Sequence, residues 1–185
     1  STHKGEDEIV LEAFAQLRKR LPEALLVLVP RHPERFNAVA ALCQSRGFEL
    51  VRRSEQRACT IGTAIFLGDS MGELMLFFAA SDIAFVGGSL VATGGHNLLE
   101  PASLGLPILT GPHMFNFTDI HQLLLQAEAS IEVGSSRHLA EALLRLFGDK
   151  TLCQSMGGNG RRLVAQNGGA LDKVVRLIER VMGKL

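Results

Sequence analysis

The chain has 185 residues, of which 46% are apolar and 21% charged, so it can bury the core of one ordinary globular domain. Nineteen Lys and Arg balance nineteen Asp and Glu, which excludes a strongly basic field for nucleic acid or an anionic membrane surface; any anion must be bound locally. Three cysteines, Cys43, Cys59 and Cys153, show no CxxC spacing, which argues against a disulfide framework or zinc site and fits a reducing compartment. No apolar run approaches about 18 residues, so no membrane span or anchor is expected, and the polar start is not a signal peptide.

In chain order, apolar periodicity alternates between helical and strand-like. Residues 6–20 carry Val10, Phe14, Leu17 and Leu21 on one face, with acids first and Arg18, Lys19 and Arg20 last, matching the helix dipole. A short apolar run at 25–29 ends at Pro30 and predicts a buried parallel strand; Pro33 then suits the first turn of a helix running to Ser45. Further strands are expected at 48–51, 64–67, 83–86, 107–109 and 131–133. Helices are expected at 72–80, 97–104, 118–127 and through the remainder, where Leu171, Val174, Val175, Ile178, Val181 and Met182 form a stripe. This alternation predicts one α/β domain, a Rossmann-like parallel sheet with helices on both faces. Such sheets bind ligands beyond the carboxyl ends of their strands, so the loops there are the candidates for chemistry.

Three of those loops stand out. In Pro30-Arg31-His32-Pro33, an arginine held between prolines can offer a donor fork to phosphate, or simply be solvated. In the 67–74 turn, Asp69 or Ser70 can cap the following helix; alternatively the backbone of Met71 and Gly72 can reach a ligand's base or ribose. Gly87-Gly88-Ser89 and Thr93-Gly94-Gly95-His96-Asn97 put two glycine pairs between a strand and a helix start, where free amides make an anion site, with Glu100 placed to accept from a ribose diol. There is no Gly-Lys-Ser/Thr phosphate loop and no GxGxxG fingerprint, which weighs against a dehydrogenase; a nucleotide-sugar site fits better. The remaining acids are expected on solvated helix faces, and His113 and His121 in structural or exposed positions.

On these residues the chain resembles the 3-deoxy-D-manno-octulosonic acid (Kdo) transferases. The segments are Ser-Thr-His-Lys-Gly-Glu-Asp-Glu at 1–8, Pro-Arg-His-Pro-Glu-Arg-Phe at 30–36 and Gly-Asp-Ser-Met-Gly-Glu-Leu at 68–74. Phe-Val-Gly-Gly-Ser-Leu at 85–90, Gly-Gly-His-Asn-Leu-Leu-Glu-Pro-Ala at 94–102 and Gly-Pro-His-Met-Phe-Asn-Phe at 111–117 continue the series. The resemblance implies the C-terminal, CMP-Kdo-binding half of a GT-B glycosyltransferase. The whole enzyme would transfer Kdo from CMP-Kdo to the lipid A precursor at the cytoplasmic face of the inner membrane, inverting the anomeric carbon without a required metal or other cofactor.

Carried over, Arg31 and the turn of Gly94, Gly95, His96 and Asn97 would hold the phosphate. Ser70, Met71, Gly72, Glu73 and Leu74 would flank the cytidine and Glu100 the ribose, with His3, His32, Gly88 and Ser89 as secondary candidates. The resemblance also implies that the catalytic base and acceptor surface belong to an N-terminal domain outside these residues, and that a strand is missing just before Ser1. The fragment is then expected to bind CMP weakly and not to turn over. The alternatives are another GT-B enzyme such as a UDP-sugar epimerase, or a non-catalytic α/β binding module.

Overall fold

A computed structural model describes the backbone of residues 1–182 and the side chains of residues 1–166. Six short parallel strands occur where apolar runs predict them: β1 (Leu26–Leu28), β2 (Leu50–Arg52), β3 (Ile65–Leu67), β4 (Ala84–Val86), β5 (Ile108–Thr110) and β6 (Ser130–Glu132). They form two parallel three-stranded ladders, ordered β1-β3-β2 and β4-β5-β6. The helices are α1 (Glu6–Arg18), α2 (Phe36–Ser45), α3 (Leu74–Ala79), α4 (Leu99–Ser103), α5 (Thr118–Gln126), α6 (Ser136–Gly148) and α7 (Lys150–Met182). The apolar stripe expected on residues 171–182 lies outside the described side chains.

Successive side chains of a strand point to opposite faces, and β5 shows the consequence. Leu109 joins a core built with Val10, Leu11, Phe14 and Leu17 of α1 and with Leu139 and Leu146 of α6. Its neighbour Ile108 joins a second core with Leu98, Ala102, Met114 and Leu124. Helices therefore cover both faces, as a parallel sheet requires. On the second face α7 comes so close to the turn after α4 that a Cβ on Gly157 would lie 1.9 Å from the Gly105 carbonyl oxygen.

Between β1 and β4 runs an apolar cleft of about 530 Å³, lined by Leu26, Leu28, Phe77, Ala84, Phe85 and Leu139 among others. Thr2 sits at its end, paired in parallel with Pro30: its amide donates to the Val29 carbonyl (2.9 Å) and its carbonyl accepts from the Arg31 amide (3.0 Å). On the other side the Ser1 carbonyl packs against Gly87, where an added Cβ would lie 2.0 Å from it. Residues 1 and 2 thus bridge the carboxyl ends of β1 and β4, and they bring the following turn, with His3, into the loop cluster there.

Candidate nucleotide-phosphate site

The carboxyl ends of β1 and β4 and the turn before α1 bring three histidines together. The rings of His3 and His96 are stacked, with centroids 5.0 Å apart and Nε2 atoms 2.9 Å apart. His32 meets His3 edge-on at 5.5 Å. Gly88, at φ +70°, makes room for them, because a Cβ there would lie 3.3 Å from the His3 ring and 3.4 Å from the His96 ring. Burial is the main cause that lowers the pKa of His96 to about 4, with smaller contributions from the neighbouring charges of His3, Arg31 and His32. His3 is also lowered, again chiefly by burial and against the pull of Glu6. Both rings are therefore neutral near pH 7.

Arg31 stands exposed beside this cluster, and among the described residues its guanidinium has no partner. The neighbouring Arg35 has a different task. Its guanidinium donates to the Thr2 carbonyl (2.7 Å) and pairs with Asp7, which also accepts from the Thr2 hydroxyl (2.6 Å). This clamp fixes the Pro30 loop against the start of α1 and leaves Arg31 free for a ligand.

The two glycine pairs part company here. Glu6, predicted as a solvent-facing acid in the first turn of α1, is completely buried. Its carboxylate accepts from the amides of Gly88 (2.7 Å), Ser89 (3.0 Å) and Leu90 (3.0 Å). The first glycine turn is an anion nest already filled by a carboxylate from within the chain. The amides of Gly88 and Ser89, expected as secondary phosphate donors, are thus spoken for. The Ser89 hydroxyl, too, is engaged, donating to the Val86 carbonyl and accepting from the Gly111 amide.

The second turn receives no carboxylate from the described residues. Gly94 (φ +95°) and Gly95 (φ +78°) need left-handed backbone, and Cβ atoms on them would lie 2.2 Å from Asn116 and 2.3 Å from Met114. The Gly95 amide donates to the Gly88 carbonyl (2.8 Å), which ties the two turns together. Among the described residues the amides of His96, Asn97 and Leu98 donate to nothing. The Asn97 side chain accepts from the Leu99 amide (3.0 Å) and donates to Glu100 (3.3 Å), holding the carboxylate expected at a ribose.

The 68–74 turn, after β3, lies at the same end of the strands. Neither Asp69 nor Ser70 caps α3, which begins after Glu73 without a side-chain cap. Asp69 instead turns towards the chain after β2, accepting from Arg52 Nε (2.8 Å) and from the Ser54 amide (2.8 Å) and hydroxyl (2.6 Å). Burial alone would raise the Asp69 pKa, but the bonds from Ser54 and Arg52 outweigh it and hold the carboxyl below its ordinary value. The Ser70 hydroxyl donates to Glu73, and Glu73 pairs with Arg53 at 2.9 Å. Both Ser70 and Glu73 are therefore engaged with protein, whereas Met71 is 59% exposed and Gly72 (φ +81°) has open space around it. Leu74, half-buried, opens α3. The run Arg52-Arg53-Ser54 at the end of β2, which fixes this turn, carries its own sequence signal: basic residues packed at a strand's carboxyl end.

His121 is buried, with Nε2 3.0 Å from the Thr110 hydroxyl, and serves the core beneath α5. Among the described residues no group of three or more His, Cys, Asp or Glu is placed to hold a metal, and no helix is long and apolar enough to cross a membrane.

Comparison with known proteins identifies the family and the fold. The family model described as glycosyl transferases group 1 matches residues 2–163. A 3-deoxy-D-manno-octulosonic acid transferase of Haemophilus influenzae is 46% identical over 97% of this chain, which covers 42% of that protein. The transferase of the same description from Bordetella pertussis is 36% identical over 99% of the chain and 44% of its own length. The chain thus spans less than half the length of these relatives. Among solved structures, the C-terminal CMP-Kdo-binding domain of WaaA from Acinetobacter baumannii superposes with a TM-score of 0.85 at 35% identity, covering 90% of this chain and 86% of that one. The chain belongs to the group 1 glycosyl transferases, and within them it is homologous to the Kdo transferases.

Proposed function

We propose that this chain is the donor-binding domain of a Kdo transferase of lipopolysaccharide synthesis, and that CMP-Kdo binds over the turn at 94–98. The observation that carries this is the open turn itself: unpartnered amides at His96, Asn97 and Leu98 beside the unpaired Arg31 and the His3–His96 pair. The Acinetobacter baumannii neighbour, described as CMP-Kdo binding, supports the choice of nucleotide. In this reading Arg31 and the amides stabilise charge on the departing phosphate, Glu100 holds the ribose, and Met71 and Gly72 approach the cytidine. The base that deprotonates the acceptor, and the surface for a lipid A precursor at the cytoplasmic face of the inner membrane, belong to a further domain. The chain alone binds donor without turnover. The relatives named above are Kdo transferases, which weighs against the UDP-sugar alternative.

An NMR titration of the labelled chain with CMP, and with UMP as control, tests the reading. Shifts at Arg31, Met71, Gly72 and His96–Glu100 that CMP induces at lower concentration than UMP are expected. A preference for UMP, or silence towards both at millimolar ligand, would sink it.

We also propose that the cleft between β1 and β4 seats a further parallel strand running into Thr2. The edges of β1 and β4 that line the cleft have no ladder partner among the described residues, and Thr2 already continues in register with Pro30. Extending the chain upstream with the residues that the Haemophilus influenzae relative carries there should raise Tm by roughly 5 °C or more. An unchanged Tm, with amide exchange in β1 and β4 as fast as before, would count against the strand.

A further inference from the structure

The contact between His3 and His96 constrains where protons can be. Two Nε2 atoms 2.9 Å apart form a hydrogen bond when one ring donates and the other accepts, so the neutral pair holds a single proton between these atoms. A second proton there would need an acceptor elsewhere and a counter-charge. The protein supplies neither. The groups facing the pair are Arg31, His32 and Arg35, all basic, together with Glu6. Glu6 is occupied by three loop amides and also accepts from the His3 amide (3.3 Å). The free site therefore combines a surplus of donors with a histidine pair that has no reason to charge.

A phosphodiester entering over His96 changes both conditions, bringing a negative charge and several acceptor oxygens. We propose that the nucleotide phosphate enters this site together with a proton from solvent, which the His3–His96 pair retains while the phosphate is bound. This rests on the donor-site reading above and deepens it, making donor affinity depend on pH through the protein rather than through the ligand. The burial that keeps both rings neutral in the free protein is what leaves the pair able to take up that proton near neutral pH. Linkage then requires affinity to rise as pH falls, by up to about tenfold per pH unit for one proton.

The test uses this chain and the methyl ester of CMP, a phosphodiester without an ionisation near neutrality, so that no proton can be credited to the ligand. Calorimetric titrations at pH 7 in two buffers of different ionisation heat count the protons directly. About one half to one proton taken up per ester bound is expected, with affinity about three- to tenfold higher at pH 6.5 than at pH 7.5. His3→Asn and His96→Asn should still bind, more weakly, with uptake near zero. NMR titration of the imidazole C–H signals of the unaltered protein gives a second readout: the ester should move the His96 midpoint from about 4 into the neutral range. Binding without proton uptake and without that movement would overturn the proposal while leaving the donor site intact. So would uptake that persists undiminished in both variants, which would place the proton on a group outside the pair. Failure of both the ester and CMP to bind at any pH would overturn the donor-site reading and this proposal with it.

Discussion

The turn at 87–90 and the turn at 94–98 are both glycine-rich, both need left-handed backbone, and both lie between β4 and α4, yet they serve opposite ends. In the first, three consecutive amides converge on a buried carboxylate from residue 6. In the second, the consecutive amides of His96, Asn97 and Leu98 have no acceptor among the described residues. What differs is whether the chain itself supplies an anion to the amides. The filled turn is structural, and through the Gly95-to-Gly88 hydrogen bond it holds the open one in place.

The sharpest way to break this comparison is to empty the filled turn. Glu6→Ala removes a completely buried carboxylate shared by three amides, and each donor stranded out of water costs roughly 1–3 kcal/mol. A loss of about 3 kcal/mol or more in urea unfolding is expected, together with loss of CMP binding, because the open turn hangs from the filled one. Stability within about 0.5 kcal/mol of the parent would mean that the carboxylate does not organise the loop.

Arg31→Ala should show the reverse pattern. The side chain is exposed and unpaired among the described residues, so stability should stay within about 0.5 kcal/mol. A lost charge-assisted contact to phosphate is worth about 1.5–3 kcal/mol, so CMP affinity should fall roughly tenfold to a hundredfold. If affinity survives, the donor phosphate sits elsewhere.

A third test concerns pH, and it sets fold against ligand. The pKa of His96 in the folded chain is about 4, below its ordinary 6.5, so the unfolded chain takes up the proton first. This contribution is therefore complete above about pH 6.5 and is lost progressively as pH falls towards 4. The ligand-free protein should lose Tm over that window, and His96→Asn should flatten the loss. A profile unchanged by the substitution would show that His96 does not titrate as its burial dictates. Over the same descent towards acid, donor binding should tighten, because the phosphate reverses the electrostatic setting of the pair.

Much of the fold was legible because its elements are local and periodic. Runs of Leu, Val and Ile of strand length, each followed by a polar or glycine turn, marked all six strands to within about two residues. The first strand's exit at Pro30-Arg31 and the helix start near Asn97 follow from the same pattern. The pairing of strands three by three did not. A ladder needs a neighbour in space, and nothing in residues 26–28 or 84–86 states that their facing edges are separated by a cleft. A helix cap at Asp69, one of the alternatives the local sequence allows, does not form, because its partners, Arg52 and Ser54, lie across the β2–β3 pair.

By itself the sequence determined the alternation of strand and helix, the polar and glycine-rich loops at the strand ends, and the motifs shared with Kdo transferases. Only the tertiary structure decided which loop is open to a ligand. Glu6 is separated from Gly88, Ser89 and Leu90 by more than eighty residues, and the first turn of a helix is an ordinary place for a solvated acid. Its carboxylate enters the loop because residues 1 and 2 are held between the ends of β1 and β4, and buried amides take the nearest anion the fold presents to them.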